Sequence, residues 1–319
     1  MAGNRLKGRV AVVTGSGRGI GRAEALALAA EGASLVINDK GDSGDGTGSS
    51  QTPAQEVCRE IRELGGQAVP NYDSVATREG GENIIRMAID TYGKIDILVN
   101  NAGILRDRMI FNMSEEEWEA VIRVHLYGTY YCTRPASVHM RQQRWGRIIN
   151  TSSIAGLGNM GQSNYGAAKE GIVGFTRSVA LDMGKYGVTC NAIRPMAATR
   201  GITPELKEAI SKKAAGMGIT DANEIDKFFN QLFSAGPEHV AAFVTYLATE
   251  EAGFINGRTF YVNGTNIGLY TDPQITSMIK GGEGCWSLDE LIKTVPGQLC
   301  KDMVNPAPAP APTKDVNKA

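Results

Sequence analysis

The sequence predicts an α/β protein built on a doubly wound parallel sheet with helices on both faces. Three observations lead there. Short β-branched runs alternate with longer segments of helical period through most of the 319 residues. The runs are mostly continuous in apolar character, as strands covered on both faces must be. Glycine is abundant, 39 residues in all, which supplies tight turns between strand and helix.

The predicted strands, each a short β-branched or apolar run, are Val10–Thr14, Ser34–Asn38, Ala68–Asn71, Ile95–Asn100, Arg147–Asn150, Val188–Ile193 and Arg258–Val262. Helices are predicted between them at Ile20–Glu31, Pro53–Leu64, Arg78–Tyr92, Glu115–Met140, Tyr165–Tyr186 and Pro237–Ala248. In the Tyr165 helix, Ala168, Ile172, Phe175, Val179 and Met183 recur at three- and four-residue steps, the period of a buried stripe. This alternation defines one domain, residues 1–264. Within it, Lys40–Gln51 is rich in glycine and serine and flexible by composition. Residues 201–236 form a partly helical insertion, expected to be a substrate lid. A C-terminal extension covers 265–304, and in it Cys285-Trp286-Ser287-Leu288-Asp289-Glu290-Leu291 reads as a capped amphipathic helix. The extension either docks on a neighbouring subunit or closes the substrate cleft. The last stretch, 305–319, carries the string PAPAPAP and is expected to be an extended, disordered tail.

Composition narrows the function. With 33 basic and 34 acidic residues the net charge is −1, so no field collects nucleic acid or anionic lipid. Five scattered cysteines without a CxxC, and three histidines, make neither a disulfide framework nor a metal site. No apolar run approaches the ~20 residues that cross a bilayer. The expectation is a cytoplasmic protein that recognises a small molecule in a shaped site, without nucleic acid or membrane as partner.

Val10–Thr14 runs into Gly15-Ser16-Gly17-Arg18-Gly19-Ile20-Gly21 and then into a helix. Glycines let the backbone approach a pyrophosphate while amides and the positive helix end face it. The second strand ends in Asp39, eighteen residues after Gly21. An acid there accepts hydrogen bonds from the adenosine ribose hydroxyls and repels the 2′-phosphate of NADP, so the expected cofactor is NAD. Arg18 is the contrary feature: it either pairs with that phosphate or is a solvated surface residue.

Tyr165 and Lys169 stand four apart, so both side chains lie on one helix face. A phenol with a pKa near 10 is a poor base at neutral pH, and a neighbouring ammonium favours its ionised form. Lowering it by ~3 units takes about 4 kcal/mol, and Lys169 is expected to supply much of this. Upstream, the strand Arg147–Asn150 ends in Thr151-Ser152-Ser153, hydroxyls at the carboxyl edge of the sheet, where α/β ligands bind. A serine there can hydrogen-bond a substrate carbonyl or alkoxide oxygen.

Together TGSGRGIG (Thr14–Gly21), NNAG (Asn100–Gly103), NTSS (Asn150–Ser153), YGAAK (Tyr165–Lys169) and NAIRP (Asn191–Pro195) resemble the short-chain dehydrogenase/reductase family, over residues from about 6 to 265. The resemblance implies a Rossmann-type fold and an NAD-dependent secondary alcohol dehydrogenase. It implies that Tyr165 is the general acid/base, Lys169 its tuner and ribose anchor, and Ser153 the donor to the substrate oxygen. It makes Asp73, with Ser74 beside it, the adenine contact. Asn101, Ala102 and Gly103 would line the cofactor, and Pro195 and Thr199 would lie near the nicotinamide carboxamide. Two departures stand out. His125 falls where the family carries the asparagine that organises a proton-relay water, and it either holds that water or is a packed, satisfied histidine. Ser153 precedes Tyr165 by twelve residues, one short of the family interval that Ser152 would meet. The Asn-x-Ser-Ser string aligns Ser153.

Within the family, further strings such as Asn71–Val75 and Arg123–Leu126 resemble the (3R)-hydroxyacyl-CoA dehydrogenase domains of the type-two peroxisomal multifunctional enzymes, also known as 17β-hydroxysteroid dehydrogenases. The implied substrate is a 3-hydroxyacyl-CoA of fatty-acid or steroid side-chain breakdown. A free hydroxysteroid or cyclic terpenoid alcohol is the alternative. A silent NAD-binding sensor or assembly subunit is the non-enzymatic one. The long helices Glu115–Met140 and Tyr165–Tyr186 resemble those that pair family members into homodimers or homotetramers.

Overall fold

A computed structural model describes residues 3–197, 211, 221, 223–224, 227, 235–281 and 284–303. The chain divides into two compact units, 1–270 and 271–319. In chain order the first holds β1 (Val10–Thr14), α1 (Gly19–Ala30), β2 (Ser34–Asn38), α2 (Thr52–Glu63), β3 (Gln67–Asn71), α3 (Arg78–Tyr92), β4 (Ile97–Asn100), α4 (Glu115–Ile122), α5 (Gly128–Gln143), β5 (Gly146–Thr151), α6 (Ser163–Met183), β6 (Val188–Met196), α7 (Pro237–Leu247), β7 (Thr259–Asn263) and β8 (Asn266–Leu269).

The eight strands form one sheet in the order β3-β2-β1-β4-β5-β6-β7-β8. All neighbours are parallel except β7 and β8, which pair as a hairpin. The apolar strands are buried on both faces, as their composition requires. Ala11 and Val13 of β1 enter a core with α1, α2 and α7, while Val10 and Val12 enter a second core with α3, α5 and α6. Chain order reverses at β1, which lies between β2 and β4. Register aligns Thr14 with Asn38, and Asn100 with Asn150, so the carboxyl ends form one edge. In open α/β sheets this reversal makes the crevice that takes a ligand.

Two expectations are corrected and one is refined. β8 carries the sheet past residue 264, where the alternation of strands and helices had put the end of the domain. Its sequence, NIGL, is too short to stand out; it forms because β7 offers an edge. The segment 115–140 is helical throughout, as expected, with a π-helical turn, Arg123–Tyr127, between α4 and α5 at which His125 is buried. The loop Lys40–Gln51 is folded by internal hydrogen bonds rather than left open by its glycines.

The second unit contains α8 (Leu288–Thr294). Ser287 and Glu290 make a reciprocal capping box at its start, as the sequence pattern anticipates. Most of the segment 201–236 and all of the tail 305–319 lie outside the described residues.

Candidate active site

The turn after β1 is shaped by close packing. Gly15 has φ +62°, which a side chain resists, and a Cβ on it would meet the Ala102 backbone at 2.7 Å. A Cβ on Gly17 would meet Pro53 Cβ at 2.6 Å and the Asp39 carboxylate at 2.8 Å. Ser16 is fully buried, and its hydroxyl donates to Val13 O at 2.8 Å and Asn38 O at 3.2 Å. The Asp39 carboxylate, at the tip of β2, accepts from Gly17 N at 2.7 Å and Gly41 N at 2.6 Å. Arg18 precedes α1 without capping it, and its guanidinium donates to Asp42 O at 3.5 Å. Gly19 and Ile20 therefore open α1 with no side-chain acceptor on their amides, whereas Thr77, Ser114 and Ser287 cap α3, α4 and α8. A bare, positive helix end facing a crevice accepts an anion.

Thr14 ties this turn to the β4 exit. Its hydroxyl accepts from Asn101 N at 3.0 Å and Ala102 N at 3.1 Å, and the Asn101 amide group donates back to Thr14 O at 2.9 Å and Gly15 O at 3.0 Å. Beyond β3, Asp73 accepts from Asn71 Nδ2 at 2.8 Å and Asn83 Nδ2 at 3.1 Å, and Ser74 Oγ accepts from Ala76 N at 3.3 Å. Pro195 sits half-buried on β6 beside Val262. Thr199 lies outside the described residues.

At the β5 exit the two serines part. Ser152 is buried and its hydroxyl donates to Lys169 O at 2.7 Å. Ser153 caps the short turn Ile154–Leu157, accepting from Ala155 N at 3.1 Å, and its hydroxyl acts on the Tyr165 phenol, pulling its pKa down. It is Ser153, twelve residues away, that faces the tyrosine. Lys169 is buried, its ammonium donating to Thr151 O at 2.5 Å and standing 5.4 Å from the Tyr165 ring centre.

The electrostatics correct one expectation. Burial raises the Tyr165 pKa above its ordinary value; the Ser153 hydrogen bond pulls it down and Asp107 pushes it up. The Lys169 ammonium, 5.4 Å from the ring centre, does not offset that rise. Burial brings Lys169 itself down to about 7, and its ammonium is directed at the Thr151 carbonyl. Desolvation penalises the charged form of both groups, and here it outweighs their attraction.

His125 is buried and packed without being fully satisfied. Its Nε2 lies 3.1 Å from Ile104 N and 2.8 Å from Ile104 O. The ring meets the Tyr165 ring edge-on, centres 5.1 Å apart and planes at 88°. Burial, followed by Lys169, pulls its pKa well below the usual histidine value, so it is neutral. Its Nδ1 is buried with no partner, as is Thr151 Oγ1.

Several functional neighbours were missed. Arg194, buried, donates to Ser153 O at 2.6 Å and to Glu170 Oε2 at 2.7 Å, fixing the turn that presents Ser153. A cation inside an apolar strand, next to Pro195, was the available signal. Asn164 is fully buried and donates to Arg106 O at 2.9 Å and Glu117 O at 3.1 Å, docking the start of α6. Asn100 Nδ2 donates to Asn150 Oδ1 at 2.8 Å, locking β4 to β5 at the edge.

Residues 9–213 match the short chain dehydrogenase family. The chain belongs to the short-chain dehydrogenase family. As a member it is an oxidoreductase of CH–OH groups that uses a nicotinamide dinucleotide. A crystal structure of a short chain dehydrogenase from Mycobacterium avium is 40% identical, with TM-score 0.77, covering 93% of this chain and 96% of that one. A hydroxyacyl-CoA dehydrogenase, ChsB1, of Mycobacterium tuberculosis is 38% identical over 299 residues, 91% of this chain and 88% of the relative. The peroxisomal multifunctional enzyme type 2 of Mus musculus is 49% identical over 197 residues, 61% of this chain but only 26% of the relative. This short-chain dehydrogenase thus spans about a quarter of that multifunctional enzyme. The residues present fit a dinucleotide: the uncapped end of α1, the cradle at Gly15 and Gly17, and the unpartnered Thr151 Oγ1 all belong to the carboxyl edge of the sheet. Among the described residues no helix is long and apolar enough to cross a membrane.

Proposed function

We propose that the chain is an NAD-dependent 3-hydroxyacyl-CoA dehydrogenase that oxidises the secondary alcohol of fatty-acyl or steroid side-chain thioesters. The observation that carries the reading is the gathering of Ser153, Tyr165 and buried Lys169 at the carboxyl edge of the sheet. When bound, the dinucleotide supplies the hydride acceptor. Tyr165 Oη takes the proton of the substrate hydroxyl. Ser153 Oγ donates to the substrate oxygen and holds it against the phenol. Lys169 anchors the ribose and contributes positive charge beneath the ring. Because oxidation needs the Tyr165 phenol to accept a proton and burial raises its pKa, oxidation gains as pH rises.

Asp39 supports NAD over NADP: its carboxylate is fixed at the β2 tip by two backbone amides, with lone pairs left for ribose hydroxyls and a charge that opposes a 2′-phosphate. Gly15 through Ile20, Asp73, Ser74, Asn101, Ala102, Gly103 and Pro195 would line the same crevice. The apolar chemistry of the substrate is supported by Met109, Ile110, Phe111, Leu157 and Met160, all exposed, on two loops joined by Arg108 N donating to Gly161 O at 2.8 Å. A long acyl chain or ring system suits that rim. Of the named relatives, one is a hydroxyacyl-CoA dehydrogenase and one a peroxisomal multifunctional enzyme, in line with this choice. Exposed Tyr127, Tyr130, Val138 and Leu181, in the π turn, α5 and α6, support a homo-oligomer, and three buried free cysteines suit a reducing cytoplasm. The test is NAD reduction by purified protein with 3-hydroxyacyl-CoAs, steroid-CoA intermediates and free hydroxysteroids. Turnover of the thioesters is expected; a clear preference for uncharged sterols overturns the substrate, and tight NADH binding without any turnover overturns the enzyme.

A further inference from the structure

Between β2 and α2 the chain makes an excursion that neither sheet nor helix requires. Its two ends meet, since Ser50 N donates to Lys40 O at 3.0 Å. Beyond this neck, Ser43 N donates to Thr47 O and Gly46 N to Ser43 O, both at 2.8 Å, and Asp45 accepts from Thr47 N at 2.9 Å and from its hydroxyl at 2.7 Å. The result is a compact loop with a closed base. Its tip docks on the β4 exit: Leu105 N donates to Gly44 O at 3.0 Å and Arg106 Nε to Asp45 O at 2.9 Å. Gly46 lies directly over Ile104, where a Cβ would sit 3.1 Å from Cδ1, and Ile104 is buried.

Topology gives this contact its meaning. β2 and β4 flank β1, so a loop that joins their carboxyl ends must bridge the exit of β1, which is the glycine turn. Arg18, the one cation of that turn, is drawn to the Asp42 carbonyl on the strap. Asp42 lies among Lys40, Asp39, Asp45 and Arg18, and burial raises its pKa.

We propose that residues 40–51 are a strap over the adenosine end of the dinucleotide site, which slows dinucleotide exchange and, by holding Arg18 at Asp42, keeps that cation from a 2′-phosphate. The inference rests on the dinucleotide-binding reading above. It resolves the opposition between Asp39 and Arg18: both are used against NADP, one by its charge and the other by being occupied.

The closed neck supplies the test. Residues 42–49 can be replaced by two glycines that join Gly41 to Ser50, whose backbones already touch. A second variant, Arg106→Gln, removes one anchor at full length. NADH release is followed by stopped-flow fluorescence, and Kd values for NADH and NADPH by titration, on the whole chain. The shortened variant is expected to release NADH about tenfold faster and to lose about tenfold in its preference for NADH over NADPH, each equivalent to about 1.4 kcal/mol. Arg18→Gln in the shortened background should restore the preference by removing the freed cation. A shortened variant that melts as the wild type does, yet keeps either the wild-type release rate or the wild-type preference, overturns the proposal. Should it fail to fold, unchanged NADH release in Arg106→Gln overturns it instead. Wild-type protein that binds neither dinucleotide counts against the dinucleotide reading, not against the strap.

Discussion

Glu24 lies on the inner face of α1, fully buried, with neither carboxylate oxygen hydrogen-bonded. α1 packs most extensively on α7, and Ala25 and Leu28 share a core with Val240 and Val244. Burial alone drives the Glu24 pKa from 4.5 to about 8. The folded chain therefore holds a proton that the unfolded chain releases, and stability falls as pH rises through that window. At 1.36 kcal/mol per unit, the cost is about 1 kcal/mol at pH 5 and about 3 kcal/mol at pH 7. Glu24→Gln cannot titrate, so pH-independent costs of its amide cancel when each protein is compared with itself. Relative to the variant, the wild type should lose about 2 kcal/mol between pH 5 and pH 7, and about 1 kcal/mol more by pH 8. Urea unfolding of both proteins at the three pH values measures this directly. Parallel pH profiles would refute the reasoning, because they would mean that the carboxylate finds compensation once ionised.

Other outcomes follow from the site. Tyr165→Phe removes the proton carrier but little packing, so kcat should drop about 10²- to 10⁴-fold with the melting temperature unchanged; a loss under about tenfold would sink the assignment. Lys169 titrates in the folded chain at about 7, below its unfolded value, so the unfolded chain binds the extra proton between these limits and stability should rise with pH there. Lys169→Met should flatten that rise in thermal melts across pH 7 to 10, and an unaltered slope contradicts the burial argument. Gly103→Ala would place a Cβ 2.5 Å from His125 Cε1. The ring must move, costing about 1–3 kcal/mol in denaturant unfolding and disturbing the edge contact with Tyr165, so kcat should fall as well. A variant as stable and active as wild type would show the ring has room.

What sequence by itself determines here is what depends on near neighbours along the chain. Apolar continuity marks the strands, glycine after β1 marks the phosphate-type turn, and a spacing of four puts Tyr165 and Lys169 on one helix face whatever lies around them. The capping box at Ser287 and Glu290 is equally local. The tertiary structure decides what depends on residues far apart. Ser153 rather than Ser152 meets Tyr165 because α6 supplies the Lys169 carbonyl that Ser152 takes. Tyr165 is raised rather than lowered because desolvation sums over every element packed around it, while the lysine is one charge turned elsewhere. His125 is an internal ring because a π turn rotates it onto the Ile104 backbone, twenty-one residues back. The glycine-rich strap is folded because the β4 exit receives it, a partner that no window of residues 40–51 contains. Period and turn chemistry are short-range properties of a chain; burial, and the partner a polar group finds, are properties of the packed molecule.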